Sequence, residues 1–140
     1  MRGTHAIKHW SVTESTVTLS SGEAELGGIT EGASIGLGLQ SVAKDLGMVW
    51  SLTVHSDATA AIGICRRKGL GNIRHLAVAD LWVQDRVRAR DFKLAKVLGA
   101  QNPADILTKY VAREIMERHL ENMSCHFEAG RAASAPVIDG

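Results

Sequence analysis

The chain has 140 residues, of which 45% are hydrophobic, and a formal net charge of +1. This length suits one domain, and the apolar content is too high for a disordered chain. The near-neutral charge excludes a uniformly basic, histone-like protein but allows a local basic face. The sequence contains no apolar run of the roughly eighteen residues that a membrane span needs, and its start lacks the apolar segment of a secretory signal.

The two cysteines, Cys65 and Cys125, are too few for a disulfide scaffold and lack the spacing of a zinc site. We interpret both as free thiols in a reducing compartment. Together with the absence of a signal or membrane segment, this predicts an intracellular protein, either cytoplasmic or nuclear.

The first part of the chain predicts a strand over 7–12, a short extended segment over 17–19 and then a long helix. Ser20 followed by Glu23 forms a capping-box pattern, so we expect this helix to run over 20–46 and to end at Gly47. We interpret the five glycines within it as permitting close approach to a sheet. Its apolar positions at helical spacing are Leu26, Ile29, Ala33, Leu37, Val42 and Leu46.

The remaining elements alternate between short strands and helices. The pattern predicts a strand over 51–56, helices over 58–67 and 73–90, a strand over 92–98, a turn over 99–102 and a helical run over 112–121. Asn102 followed by Pro103 predicts the start of a further helix, with Asn102 as its N-cap. The predicted order β–α–β–α–α–β–α–α is typical of an α/β fold.

Three carboxylates fall at the ends of predicted elements: Glu25, Asp57 and Asp105. Sites in α/β sheets gather at the carboxyl ends of strands, and a set of oxygen ligands favours Mg²⁺ or Mn²⁺. Two such ions about 4 Å apart can activate a water and stabilise the leaving oxygen of a phosphodiester. The alternative is that Glu25 is a solvated helix residue, that Asp57 caps the next helix and that Asp105 bonds back to its own cap.

Cations are concentrated between residues 57 and 100, where nine Lys and Arg stand against four Asp. The run Arg66, Arg67 and Lys68, with Arg74 nearby, follows the helix after Asp57 and is a candidate for binding phosphates. The alternative is a solvated helix end whose cations are favoured by the helix dipole.

Four strings in this order, spread over residues 8–110, resemble the RNase H segment of copia-type LTR-retrotransposon Pol polyproteins. They are HWSVTESTVTLSSGEAEL, VHSDATAAIGI, GNIRHLAVADLWVQDRV and AKVLGAQNPADILTKY. The resemblance implies an RNase H-like fold and a nuclease that uses two Mg²⁺ or Mn²⁺ ions. Such an enzyme hydrolyses the RNA strand of an RNA–DNA hybrid during reverse transcription, as part of a longer polyprotein.

The resemblance also implies roles for individual residues. The family's metal-binding acids fall on Glu25, Asp57 and Asp105, and its Arg-His pair falls on Arg74 and His75, next to the substrate. Proteins of this kind recognise a hybrid by its backbone shape and 2′-hydroxyls. We therefore expect the hybrid-binding residues to be Arg66, Arg67, Lys68, Arg74 and His75.

The chain departs from the family at its start. The family's first two strands, one of which bears a fourth metal-binding Asp, precede the part that matches here. We therefore expect an RNase H-like fold truncated at its N-terminus over 1–121, followed by a disordered tail over 122–140. Two alternatives to a nuclease stay open: an inactive relic or nucleic-acid-binding module that lacks the fourth Asp, and an α/β interaction domain whose acids are helix caps.

Overall fold

The computed structural model of the chain describes residues 5–10, 21–69, 78–126 and 130. It is a mixed helix and strand protein that divides into two compact units. One unit is Val12–Asn102, and the other joins Met1–Ser11 to Pro103–Gly140. The elements are α1 (Ser21–Asp45), β1 (Thr53–Ser56), α2 (Thr59–Arg66), α3 (Val78–Ala89), β2 (Lys93–Lys96), a 3-10 turn (Gly99–Gln101), α4 (Asp105–Thr108) and α5 (Arg113–Asn122).

Helix α1 forms almost where the sequence predicts it, although Ser20 of the predicted capping box lies outside the described residues. Its N-terminal apolar positions are buried as expected, with Leu26 and Ala33 fully shielded from solvent. The prediction is wrong at the other end, where Val42 and Leu46 are 56% and 69% exposed and Ala43 is buried instead. At about 100° per residue, Val42 lies on the side of the helix opposite Ala33, so the two cannot share one face.

Gly47 ends α1 as predicted. Its φ is +75°, and the two hydrogen bonds that close the helix run from Gly47 N–H to Lys44 O at 2.9 Å and from Met48 N–H to Ala43 O at 2.8 Å. This pair of bonds is a Schellman motif, whose left-handed residue favours glycine.

The two strands form a parallel pair in which Thr53 lies opposite Lys93 and Ser56 opposite Lys96. Alternate residues face the helices, so Val54 and Leu94 lie on the inner face while Thr53 and Lys93 are exposed. The helices α1, α2 and α3 enclose one core with this sheet. Its buried members are Leu26, Ile29, Ala33, Ala61, Ile62, Ile64, Cys65, Val83, Phe92 and Leu94.

The interpretation of the α1 glycines holds at one position. A Cβ on Gly36 would lie 2.6 Å from a methyl carbon of Leu52, so any larger residue there requires the Leu52 side chain to shift. At Gly28, Gly32 and Gly38 nothing lies within 4 Å of a Cβ, so close packing does not explain these three glycines.

Two local predictions are wrong. Residues 7–10 of the predicted first strand are exposed and have no regular structure, and 11–12 lie outside the described residues, as do 17–19. High strand propensity does not suffice without a buried face to pack. The helix after Pro103 begins at Asp105 with Ala104 as its N-cap, rather than at Asn102. The Gly99–Gln101 turn continues to Asn102, whose N–H donates to Gly99 O at 3.0 Å, so Asn102 closes this turn.

The second unit holds α4 and α5. Helix α5 carries an exposed ion pair in which Arg113 Nε donates to Glu117 Oε1 at 2.7 Å. This hydrogen bond and the charge of Glu117 raise the pKa of Arg113. The prediction of a disordered tail falls mostly on 127–129 and 131–140, outside the described residues. Within the described part of the chain, no helix is long and apolar enough to cross a membrane.

Candidate functional site

Asp57 stands directly after β1, at the point where the chain turns into α2. The turn is closed by Ser56, a buried residue whose Oγ accepts a hydrogen bond from Ala58 N–H at 3.1 Å. This side chain therefore fixes the backbone on both sides of Asp57. Asp57 is half-buried, and it stands at the carboxyl end of the strand, which is the position that the sequence predicts.

The neighbouring strand brings a glycine to the same edge. Val97 N–H donates to Ser56 O at 3.0 Å, so β2 and its continuation run alongside the end of β1. Two residues later, a Cβ on Gly99 would lie 3.5 Å from Asp57 Oδ2. Since this is van der Waals contact, a larger side chain at position 99 would occupy the space beside the carboxylate.

Glu25 lies near the start of α1 and is exposed, on the flank of the buried stripe that contains Leu26. The chain after α1 runs back along this helix. Gln40 Nε2 donates to Trp50 O at 2.6 Å, and Gly36 lies against Leu52. Later residues of the returning chain therefore lie beside earlier residues of the helix, so the two segments are antiparallel.

This antiparallel course sets the level of Asp57 relative to Glu25. Asp57 lies five residues beyond Leu52, which is about 17 Å of extended chain at roughly 3.3 Å per residue. The same length corresponds to about eleven residues of helix at 1.5 Å each. Counted back from Gly36, this reaches the level of Glu25, so we expect the two carboxylates to stand at the same end of this unit.

Asp105 belongs to the other unit, and its carboxylate has a local partner. Asp105 Oδ1 forms an ion pair with Lys109 Nζ at 3.1 Å, and only 17% of the Asp105 side chain is exposed. Lys109 also donates its backbone N–H to Asp105 O at 2.9 Å, which ends α4. A meeting of Asp105 with Glu25 and Asp57 stays a prediction.

Glu25 and Asp57 supply only oxygen ligands, which fits Mg²⁺ or Mn²⁺ in chemistry. Among residues 5–10, 21–69, 78–126 and 130, no group of three His, Cys, Asp or Glu is placed to hold a metal ion.

The predicted basic residues divide into three cases. Arg66 has a structural contact that its sequence position does not predict, because its guanidinium donates to Leu94 O at 2.9 Å and ties α2 to β2. Lys68 is exposed, and Arg67 is half-buried. Arg74 and His75 lie outside the described residues.

Lys96, which the sequence patterns do not single out, stands close to the same sheet edge as Asp57. It lies opposite Ser56 in the sheet, and its Nζ donates to Thr59 Oγ1 at 2.7 Å. This places an exposed ammonium at the first residue of α2, close along the chain to Asp57. The sequence provides no signal for this position, because its pattern predicts a strand over 92–98 that would continue past Lys96.

Comparisons with known proteins point to a mobile element. The chain is 29% identical over 123 residues to the retrovirus-related Pol polyprotein from transposon TNT 1-94 of Nicotiana tabacum. The match covers 86% of this chain and 9% of that polyprotein, so the chain spans a small part of its relative's length. No protein-family model matches the chain, and no solved structure matches it significantly. The similarity supports a chain derived from a retrotransposon Pol polyprotein.

Proposed function

We propose that the chain is an RNase H-type segment of a retrotransposon Pol polyprotein that acts on RNA–DNA hybrids with a divalent metal. The observation that carries the proposal is the half-buried Asp57 at the carboxyl edge of a parallel strand pair, with its carboxylate beside Gly99. Ligand sites of α/β folds form at this edge. The Pol similarity covers the same residues and supports a role in retrotransposition.

Glu25 and Asp57 would hold the metal, with Asp105 as the further ligand that the family resemblance implies. When bound, Mg²⁺ supplies charge stabilisation at the phosphodiester and a more acidic water. The protein's own part is to hold its carboxylates in place. Ser56 does this for Asp57 through its bond to Ala58 N–H.

Cations at the two ends of α2 would hold the hybrid. The Lys96 ammonium donates a hydrogen bond to Thr59 and is thereby held at the start of α2. Lys68 is exposed beyond the end of the same helix. Ammonium groups bind phosphates without reading bases, which suits an activity that is independent of sequence. Arg67 is a further proposed contact, and the proposed roles of Arg74 and His75, which lie outside the described residues, rest on the family resemblance. Arg66 contributes mainly by joining α2 to β2.

The test is cleavage of a labelled RNA–DNA hybrid by the purified 140-residue chain in Mg²⁺. We expect cleavage of the RNA strand that is lost in Asp57→Asn, because the amide removes a negative ligand without changing shape. Asp85→Asn is the matched control: Asp85 forms an exposed ion pair with Arg88 on α3, and such pairs contribute little to stability.

A second readout separates the alternatives. Mg²⁺ that binds only the folded state raises the temperature of unfolding, and the rise grows with Mg²⁺ concentration and with affinity. Hybrid binding without cleavage and without a Mg²⁺ effect favours a nucleic-acid-binding module, for which the cations at Lys96 and Lys68 suffice. A chain that neither binds the hybrid nor responds to Mg²⁺ overturns both readings.

A further inference from the structure

Helix α1 carries a second apolar stripe, separate from the one that faces the core. Its members are Ile35, Leu39, Val42 and Leu46, at spacings of four, three and four residues. Val42 and Leu46 are 56% and 69% exposed, and the other two are half-buried. At about 100° per residue this stripe is centred roughly 140° from the buried one. Exposed apolar stripes of this kind mark interaction surfaces.

Toward the start of the helix, the positions that continue this stripe are occupied by glycine. Gly28 and Gly32 occupy the next positions in the series, and nothing lies within 4 Å of a Cβ at either of them. The stripe therefore has a bulky half near the C-terminus of α1 and an open half near its N-terminus. The spacing is that of the a and d positions of a coiled coil.

We propose that a second copy of this chain packs its α1 antiparallel against this stripe, around a two-fold axis at the level of Leu37. In this arrangement Leu46 of one copy faces Gly28 of the other, and Val42 faces Gly32. Ile35 and Leu39 form the central layers. Each layer pairs an a position with a d position, as antiparallel coiled coils require.

The pattern favours a second copy over another partner because it is complementary to itself. A two-fold interface uses the same patch on both subunits. When the two helices are antiparallel, the bulky end of the stripe on one copy meets the open end on the other. A parallel pair would set Val42 against Val42 and leave Gly28 facing Gly28. Small residues opposite bulky ones also let the helix axes approach closely.

The charges on one flank add a specific expectation. Glu31 and Asp45 are both exposed, and in the proposed pair Glu31 of one copy stands near Asp45 of the other. Like charges repel, and salt screens that repulsion. The dimer should therefore tighten as ionic strength rises, and Glu31→Lys should tighten it at low salt. This inference is independent of the proposed nuclease function.

Sedimentation equilibrium on the purified chain tests the proposal. We expect a concentration-dependent dimer, and Val42→Glu should raise its dissociation constant by more than about tenfold, since a charge would be buried in the interface. Leu98→Glu is the matched control: Leu98 is 63% exposed in the same unit but lies outside the stripe. A monomer up to high micromolar concentration, or equal effects of the two variants, overturns the proposal.

Gly32→Leu separates a lost interface from a lost fold. The space beside Gly32 is open within one copy, and leucine favours helix, so the unfolding temperature of the monomer should not fall. The dimer should weaken because the new side chain meets Val42 of the partner copy. A Gly32→Leu chain that dimerises like the parent contradicts the proposed register.

Disulfide trapping tests the register directly. In a Cys125→Ser background, which leaves only the buried Cys65, Gly32→Cys combined with Val42→Cys should form a covalent dimer under mild oxidation. Val42→Cys alone should not, because the two copies of residue 42 would be about 15 Å apart along the axes, beyond the roughly 7 Å that a disulfide spans. Equal cross-linking by the single variant overturns the antiparallel arrangement.

Discussion

The side-chain amide of Gln84 both accepts a hydrogen bond from the backbone of Gly69 and donates one to it. Its Oε1 accepts from Gly69 N–H at 2.9 Å, and its Nε2 donates to Gly69 O at 3.1 Å and to Ile64 O at 3.0 Å. Gln84 is 1% exposed. This one amide therefore ties α3 to the end of α2 and fixes the left-handed turn at Gly69, where φ is +77°.

Gln84→Leu should lower the free energy of unfolding by about 2–4 kcal/mol, because it leaves polar groups of Ile64 and Gly69 unpaired in the interior. Urea unfolding followed by circular dichroism measures the change. Gln101→Leu, at an exposed position in the turn after β2, is the control and should change stability by less than about 0.5 kcal/mol. Similar losses in both variants would show that the amide network contributes little.

Alanine at two glycines of α1 should have different effects. At Gly38 the space is open, so Gly38→Ala should stabilise the chain by about 1 kcal/mol through helix propensity. At Gly36 the new methyl would lie 2.6 Å from Leu52, which must shift, and overpacking costs about 1–3 kcal/mol. Gly36→Ala should therefore be neutral or destabilising in thermal unfolding. A gain equal to that of Gly38→Ala would mean that Leu52 moves aside freely.

Arg90→Gly should stabilise the chain by about 0.5–1 kcal/mol. Arg90 has a φ of +60°, and Arg90 N–H donates to Val87 O while Asp91 N–H donates to Arg86 O, both at 3.1 Å. These two bonds form a Schellman motif at the end of α3. Its left-handed position is occupied by arginine, although glycine adopts this conformation at a lower free-energy cost. Ala89→Gly, one residue earlier and still helical, should destabilise by a similar amount. Chemical denaturation of the two variants should move the midpoint in opposite directions.

The ends of helices show how far the sequence specifies this fold. In the described part of the chain, three helices close with the same pair of bonds, at Gly47, Arg90 and Ser124. Only the first is predictable, because glycine is the residue that marks a left-handed turn. At Arg90 and Ser124 the same bonds form on residues that disfavour the left-handed conformation. Ends of this kind carry no composition signal.

Buried contacts show a similar division. The periodicity of α1 predicts Leu26, Ile29 and Ala33 in the core, because a helix repeats its face every 3.6 residues. It assigns Val42 to the wrong side once the count extends past Leu37. Gln84 was not predictable, since its partners are backbone groups 15 and 20 residues away. From sequence alone, a polar residue within a helical segment is predicted to be exposed, because such distant partners are not known.

The candidate site divides in the same way. The end of a strand at Asp57 follows from the alternation over 51–56 and the acid that stops it. Gly99 beside its carboxylate does not follow, because the contact depends on the register of β1 with β2. The metal-binding role of Glu25, Asp57 and Asp105 stays a prediction.

Lys96→Ala should weaken hybrid binding several-fold and reduce the salt dependence of affinity by about one unit of slope, because one phosphate contact is lost. Lys96 is held at Thr59 by a 2.7 Å hydrogen bond, which orders it near the Asp57 edge. Lys44→Ala, near the far end of α1, is the matched control and should leave both quantities unchanged. Fluorescence anisotropy with a labelled hybrid over a range of salt provides the measurement. Equal losses in the two variants would indicate non-specific attraction only.

Gly99 should limit what the Asp57 carboxylate can bind. A methyl group at position 99 would lie 3.5 Å from Asp57 Oδ2, which is ordinary contact, so Gly99→Ala should be tolerated. The longer side chain of Gly99→Leu would cover the carboxylate and exclude water and a metal ion from it. We expect Gly99→Leu to abolish any rise in unfolding temperature that Mg²⁺ produces, while Ala100→Leu, at the next exposed position, retains it. If Gly99→Leu responds to Mg²⁺ as the parent chain does, the ion binds away from Asp57, and the carboxyl edge of β1 is not the metal site.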